Sequence, residues 1–179
     1  MSVYKAIAID FGRKQLQAAG HEQDFLNRLS EEDKSAYATT FVISWIDINL
    51  AARLLEAMGP VLFPQASAPL FEMGKRLAID NLNGIYKFIL GFFSVEKAME
   101  KSAKLWGTYH KVGAARCERL GDQRVLFVVE DYPNLPEAIR QMNGGYIAGI
   151  MSLVGARNIG VKHDASSPRS WRWNITWTQ

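Results

Sequence analysis

The sequence is short of the residues that build disulfides and metal clusters. Cys117 is the only cysteine among 179 residues, so neither an internal disulfide nor a cysteine-based metal cluster can form. The three histidines, at positions 21, 110 and 163, are scattered and do not make a close ligand pattern such as HExxH. We therefore expect no metal site, and a reducing, cytoplasmic environment.

Charge of one sign and long apolar runs are also scarce. The 21 lysines and arginines and the 18 acidic residues are mixed along the chain and give a formal charge of +3. This balance is too weak to indicate a nucleic-acid partner. The most apolar stretch, 85–93, is too short to cross a membrane and contains Lys87. We expect no nucleic-acid partner and no membrane span.

The usual catalytic motifs are missing as well. The sequence has no G-x-S-x-G elbow, no phosphate loop and no dinucleotide fingerprint. Cys117 lies near Arg116 and Arg119, and cations activate a thiol, but strand alternation puts Arg116 on the opposite face. A buried, inert thiol is therefore favoured over a nucleophile. We expect a protein that is not an enzyme, with no catalytic residue and no cofactor.

The first hundred-odd residues predict helices, because apolar positions recur every three or four residues. Ser30 is expected to cap one helix and Asp47 another, the second ending at Gly59-Pro60. Pro69 is typical of the first position of a further helix. A capping residue at Ser94 opens the next helix, which continues to His110.

After His110 the pattern changes to strands. Gly121-Asp122 predicts a hairpin turn, and a second hairpin is predicted near the C-terminus. Between the hairpins, Asn134 is expected to cap a long helix. The sequence thus predicts one α+β domain over 1–179, in which a helical N-terminal half packs on a small, mainly antiparallel sheet built from the C-terminal hairpins. The long glycine-bearing helix lies between these hairpins.

Large apolar side chains alternate with polar ones in the last strand. Trp171, Trp173, Ile175 and Trp177 occupy every second position, which predicts a strand with one face on a core and one in water. Ordinary core packing under helices is favoured for these indoles, and the wall of a ligand pocket is the alternative.

Three glycines, Gly144, Gly145 and Gly149, fall inside the long predicted helix. Each should cost about 1 kcal/mol relative to alanine, so a close neighbour must compensate. The face with Gly145 and Gly149 is expected to meet a strand, a second helix or a bound molecule, and a sheet is favoured over a ligand.

The glycine helix GGYIAGIMSLVGA, the strand NIGVKH, a polar turn and a terminal strand ending in tryptophan together resemble a known module. It is the closing module of the four-vinyl-reductase domain superfamily, which includes small-molecule-binding bacterial domains, haem-nitric-oxide-binding sensors and Golgi-transport tethering subunits. The front half, beginning KAIAIDFGRK, resembles an uncharacterised bacterial branch of that superfamily. The resemblance implies a ligand-binding domain.

Departures from this superfamily bear on the ligand. The family's cysteines are missing from AIRQMNGG and KHDASSPRSW, so no inherited metal site is expected. The haem-binding branch needs an axial histidine on a helix before the sheet and a Tyr-x-Ser-x-Arg motif that clamps the haem propionates. His110 ends a helix in a comparable order, but the matching segment reads YPNLP at 132–136, without serine or arginine. A haem-based gas sensor is therefore a distant alternative.

Two functions remain. The first is a sensory or adaptor domain that holds a small apolar ligand between the helices and the tryptophan-lined sheet. Its predicted ligand-binding residues are Trp106, His110, Cys117, Tyr146, Trp171 and Trp173.

The second is a structural or protein-interaction module with a filled core, acting as a homodimer or on another protein. Its predicted interface is a short helix that is apolar on both faces. The interface residues are Ile85, Phe88, Ile89, Phe92 and Phe93.

Overall fold

The computed structural model describes residues 2–82, 93–104, 106–167 and 169–178. Its described helices are α1 (Ile7–Ala19), α2 (Glu22–Leu26), α3 (Glu31–Ala38), α4 (Ile48–Leu62), α5 (Pro69–Asn81), α6 (Val95–Lys104), α7 (Trp106–Tyr109) and α8 (Glu137–Leu153). Its described strands are β1 (Val3–Lys5), β2 (Trp45–Asp47), β3 (Ala114–Gly121), β4 (Arg124–Glu130), β5 (Arg157–Ser167) and β6 (Ser170–Thr178). The predicted α+β class is confirmed.

The C-terminal half forms one antiparallel sheet with the strand order β3-β4-β6-β5. Both predicted hairpins are present, and they join through the pairing of β4 with β6. In this register Trp173 lies opposite Phe127 on one side and His163 on the other. The last strand is therefore an inner strand of the sheet, and its alternation follows from one face on the core and the other toward water.

The tryptophan face of β6 is buried as predicted. Trp173 and Ile175 are completely inaccessible, and Trp171 and Trp177 are buried. The indole nitrogen of Trp173 donates to the carbonyl oxygen of Arg140 at 3.2 Å, and that of Trp171 donates to the carbonyl oxygen of Tyr132 at 2.8 Å. Because these indole N–H groups find backbone acceptors, the rings serve as core at little polar cost.

The helix starts predicted at Ser30, Asp47, Pro69 and Ser94 are confirmed. Pro69 is the first residue of α5, and the Ser94 hydroxyl accepts the backbone N–H of Lys97 at 3.3 Å. The Ser30 hydroxyl accepts the backbone N–H of Asp33 at 3.1 Å, and an Asp47 carboxylate oxygen accepts that of Asn49 at 2.8 Å. The predicted stop at Gly59-Pro60 is wrong, since α4 continues to Leu62 with Pro60 inside it. A proline this close to a helix end removes only one late hydrogen bond.

The predicted cap at Asn134 is also wrong. Helix α8 begins after Pro136 without a side-chain cap, and Asn134 instead donates to the side chain of Asn49 at 3.4 Å. A tertiary contact has replaced the local one. The sequence also missed β1 and β2, which pair antiparallel beside the helices. Each has three residues, too few for an alternating pattern to show.

The glycine-bearing face of α8 packs against a helix. A Cβ on Gly145 would lie 1.9 Å from the carbonyl oxygen of Phe71, and one on Gly149 would lie 2.6 Å from that of Lys75. Both carbonyl oxygens belong to α5, so the close neighbour is a second helix. The prediction that favoured a sheet at this face is wrong. Gly144 faces the sheet, where its Cβ would meet Trp173 at an ordinary 3.5 Å.

Most of the predicted interface helix lies outside the described residues, including Ile85, Phe88, Ile89 and Phe92. Phe93 is half-buried and packs on a small cluster of Ala78, Ala98 and Ile150. The homodimer stays a prediction. Among the helices of the described ranges, none has the length and apolarity needed to cross a membrane.

The helix contact predicts that Gly145→Ala is destabilising. The new methyl group would collide with the α5 backbone, and overpacking of this kind costs about 2 to 3 kcal/mol. Gly107→Ala is the matched control, because a Cβ there meets nothing within 4 Å and should be neutral or stabilise by up to about 1 kcal/mol. Urea unfolding of the two variants measures both effects. Equal unfolding free energies for Gly145→Ala and the parent would contradict the contact.

Candidate functional site

A partly enclosed cavity of about 150 Å³ lies between the helices and one edge of the sheet's buried face. Its described lining residues come from the N-terminal segment, from α5 to α8 and the residues that follow α5 and α7, and from β4. They are Tyr4, Ile7 and Ala8; Leu77, Asn81 and Leu82; Ala98, Lys101 and Ser102; Trp106, Tyr109 and His110; Phe127; and Met142, Asn143, Tyr146, Ile147 and Ile150. The wall is therefore assembled from nearly the whole length of the chain.

Helix α8 contributes a continuous stripe to this wall. Met142, Asn143, Tyr146, Ile147 and Ile150 follow the spacing of three and four residues that keeps side chains on one helix face. Since Gly145 and Gly149 hold another face of α8 against α5, the stripe is fixed toward the cavity. Asn143 is the one member of the stripe with an amide side chain.

His110 lies at the end of α7 and is buried, with 3% of its surface exposed. Its ring stacks on Trp106, with ring centres 3.8 Å and planes 4° apart, and its Nδ1 lies 3.3 Å from the Tyr132 hydroxyl. Burial lowers the pKa of His110 from 6.5 to about 3. The imidazole is thus neutral and held in a fixed orientation.

The phenols of Tyr146 and Tyr4 beside the cavity are neutral too. Burial raises the pKa of Tyr146 far above its ordinary value, with a smaller contribution from Tyr109, whose ring centre is 6.3 Å away. Burial likewise raises the pKa of Tyr4, which lies beside His110 with ring centres 5.2 Å apart. Among the described lining residues Lys101 is the cation, and it is exposed. The inner wall formed by the described residues carries no charge.

The predicted ligand-binding residues separate into two groups. Trp106 and His110, which are near each other in the sequence, meet the distant Tyr146 in the cavity wall. Trp171 and Trp173 lie outside the described lining, in the core between sheet and helices. The role of all of them in binding stays a prediction.

Cys117 also lies outside the described cavity lining, on β3, and is half-buried. Burial, with smaller contributions from the nearby carboxylates of Glu100 and Glu96, raises the pKa of its thiol to about 11. Arg116 forms ion pairs with Glu118 and Glu130. The thiol is therefore protonated, in agreement with the inert cysteine that the sequence favoured. No group of three or more metal-ligating residues occurs in the part of the chain that the structure describes.

Sequence reasoning missed Asn143, Asn81, Tyr109 and Tyr4 as lining residues. One signal could have found Asn143, because it is a polar residue at an apolar spacing, between Met142 and Ile147, in a helix with few polar positions. Tyr4 gave no such signal, since the strand that carries it has only three residues.

No family model matches the sequence, and no curated protein matches it either. The fold does match solved structures of H-NOX proteins. The protein from S. oneidensis in the Fe(II)NO ligation state has a TM-score of 0.67 at 10% identity, covering 98% of this chain and 99% of that one. The Fe(II) unliganded protein from K. algicida has a TM-score of 0.65 at 8% identity, covering 98% and 97%.

A third similar structure is the IWP-051-bound H-NOX from Shewanella woodyi in the Fe(II)CO state, with a TM-score of 0.61 at 14% identity, covering 95% of this chain and 93% of that one. These matches agree with the haem-nitric-oxide-binding part of the predicted superfamily. Identities this low show a shared fold and not a shared ligand. The bacterial branch, the vinyl-reductase kinship and the Golgi-transport kinship stay predictions.

H-NOX proteins bind haem, so the residues of this cavity bear on whether a haem fits here. His110 meets one requirement, since a neutral imidazole keeps a lone pair for a metal. The other requirements are not met. A volume of about 150 Å³ lies below the roughly 300 Å³ at which pockets for drug-sized molecules begin, and haem is larger still. The segment 132–136 offers no arginine, and Tyr132 is engaged with His110. The residues present do not fit a haem.

The buried His110 predicts a loss of stability in mild acid. Its pKa is lowered in the folded state, so below about pH 6.5 the unfolded chain takes up a proton that the folded chain does not accept until about pH 3. The stabilisation is complete above pH 6.5 and decreases as the pH falls. We expect the free energy of unfolding to drop between pH 7 and pH 5 by about 2 kcal/mol more in the parent than in His110→Gln.

Urea unfolding of both proteins at the two pH values measures this difference. The half-buried His163 titrates in both proteins, so its contribution cancels in the comparison. Equal pH dependence in parent and variant would mean that His110 is accessible to protons.

Proposed function

We propose that this chain is a sensory or adaptor domain that binds a small, mainly apolar, non-haem molecule in the cavity between helices and sheet. The observation that carries the proposal is the cavity itself, which has a neutral inner wall formed mostly by apolar side chains. The fold supports a sensory role, because the similar solved structures include H-NOX proteins with small gas ligands bound.

The size of the cavity limits the ligand. Apolar cavities of about 150 Å³ in proteins hold benzene or xenon, and they stay free of water when they are lined by aliphatic and aromatic side chains. A single ring or a short branched chain would therefore occupy the space. A molecule with many rings would require the helices to separate.

The lack of charge limits the ligand further. Transfer of a carboxylate or phosphate into such a wall is unfavourable unless a cation lies inside to pair with it. His110 is neutral, and the one described lysine of the lining, Lys101, is exposed. The cavity thus favours neutral molecules.

The position of the cavity offers a route for a signal. Helices α5, α6 and α8 all contribute to its wall, and both α5 and α6 pack on α8. A ligand that fills the space stabilises one arrangement of these helices over others, in proportion to its preference for that arrangement. A partner that contacts the outer faces of the helices could detect this change.

A cavity that is filled by a larger side chain should no longer bind a small apolar molecule. We expect benzene, titrated into ¹⁵N-labelled protein, to shift amide signals of residues around the cavity, such as Ile147 and Leu77. Ser102→Leu places a larger side chain in the cavity wall and should weaken binding at least about tenfold. Lys97→Leu is the control, because it adds leucine to the exposed face of the same helix. Absence of any benzene-dependent shift in the parent would overturn the proposal.

The second candidate is a haem-based gas sensor, and two observations favour it. The similar solved structures are H-NOX proteins, one of them described in connection with haem distortion, and His110 lines the cavity as a neutral imidazole. The similarity of the fold, taken alone, favours a haem-based sensor over a domain that binds an apolar ligand. The cavity volume and the missing arginine oppose it.

The absorption spectrum separates the two candidates. We expect protein purified from cells supplied with a haem precursor to show no Soret band, because the cavity lacks both the room and the cation for haem. Native mass spectrometry of the same sample reports the mass of any retained molecule. A Soret band in the parent that disappears in His110→Ala would decide for haem.

A further inference from the structure

Asn143 carries a polar group that has no partner among the residues that the structure describes. Its side-chain nitrogen, Nδ2, is buried, and no acceptor for it exists among the described residues. The residue belongs to the cavity wall, on the stripe of α8 between Met142 and Tyr146. The other amide of the neighbouring turn, Gln141, is different, because its Nε2 donates to Glu137 at 3.1 Å.

An unpaired buried N–H group is rare in folded proteins, because it loses its hydrogen bonds to water and gains nothing in return. An apolar side chain of similar size, such as leucine, would avoid this cost. A bound molecule with an acceptor would supply the hydrogen-bond partner that the Asn143 amide lacks among the described residues. Its terminal torsion is broad and two-fold, so a half-turn exchanges the nitrogen and the oxygen with respect to the cavity.

We propose that the ligand of the cavity is a neutral apolar molecule with a hydrogen-bond-accepting oxygen, such as a small ketone, aldehyde or ester, and that Asn143 donates to this oxygen. This inference rests on the proposed function, since it names the class of molecule that binds in the same cavity. The apolar body of the molecule lies against Leu77, Ile147 and Ile150.

The surroundings of Asn143 favour an uncharged acceptor. Tyr146 is three residues away on the same face of α8, and burial keeps its phenol protonated and uncharged. The described inner wall holds no cation that would pair with a carboxylate. A neutral N–H donor in an apolar wall matches a carbonyl oxygen, which accepts a hydrogen bond without carrying a charge.

Two probes of equal shape test the inference. Cyclohexanone and methylenecyclohexane differ by an oxygen in place of a methylene group, and both rings suit a cavity that is large enough for benzene. Dissociation constants for each are measured by NMR titration of the parent, of Asn143→Leu and of Gln141→Leu. The last variant also removes an amide from α8, but at a position outside the described cavity lining.

The ratio of the two dissociation constants is the readout, because it cancels any general change in the cavity. We expect Asn143→Leu to shift this ratio about tenfold against the ketone relative to the parent, as the loss of one buried hydrogen bond does. Gln141→Leu should keep the parent's ratio. If Asn143→Leu has the parent's ratio while both probes bind, the inference is overturned and the proposed function stands. The partner of the Asn143 amide is then water.

If neither probe binds the parent, the proposed function fails and the inference fails with it. A second measurement covers the case in which Asn143→Leu does not fold. In the parent, the side-chain amide signal of Asn143 should move with cyclohexanone and stay in place with methylenecyclohexane. Equal movement with both probes would contradict the hydrogen bond.

Discussion

Helices α5 and α8 approach each other so closely that a side chain at their crossing would collide with the opposite backbone. A Cβ on Gly74 of α5 would lie 2.1 Å from the carbonyl oxygen of Met142 in α8. A Cβ on Gly145 of α8 would lie 1.9 Å from the carbonyl oxygen of Phe71 in α5. Contact at this distance leaves little freedom for rotation or sliding of either helix. It therefore fixes which residues of α8 face the sheet and which face the cavity.

Tyr132 connects the buried face of the sheet to the cavity wall through two polar contacts. Its backbone carbonyl accepts the indole N–H of Trp171, and its hydroxyl lies within hydrogen-bond distance of His110. The buried tryptophan face of β6 thus helps to hold the segment after β4, and that segment holds the imidazole in the cavity wall. Packing of the core and geometry of the site depend on the same residues, so a disturbance of the sheet reaches the cavity.

The fold is shared with H-NOX proteins over nearly the whole chain, yet the residues that line this cavity do not match a haem. One fold can hold different ligands because the backbone fixes only where a pocket lies, whereas side chains fix its volume, charge and donors. Here His110 lies at the end of a helix, but Tyr132 and Trp106 surround it and the segment 132–136 has no arginine. The small neutral ligand that we propose rests on these side chains and not on the fold.

The sequence by itself determined the features that depend on near neighbours in the chain. Alternation gave the buried face of β6, a serine and an aspartate gave two helix starts, and Gly121-Asp122 gave a hairpin. Each of these signals depends on residues that are close together in the chain, so it can be recognised without the rest of the molecule. Tertiary structure alone decided the partner of the glycine helix, the loss of the Asn134 cap, the pairing of β1 with β2 and the cavity. These depend on side chains that meet only after folding, from Tyr4 near the start of the chain to Ile150 near its end, and no local pattern records which distant residues will come together.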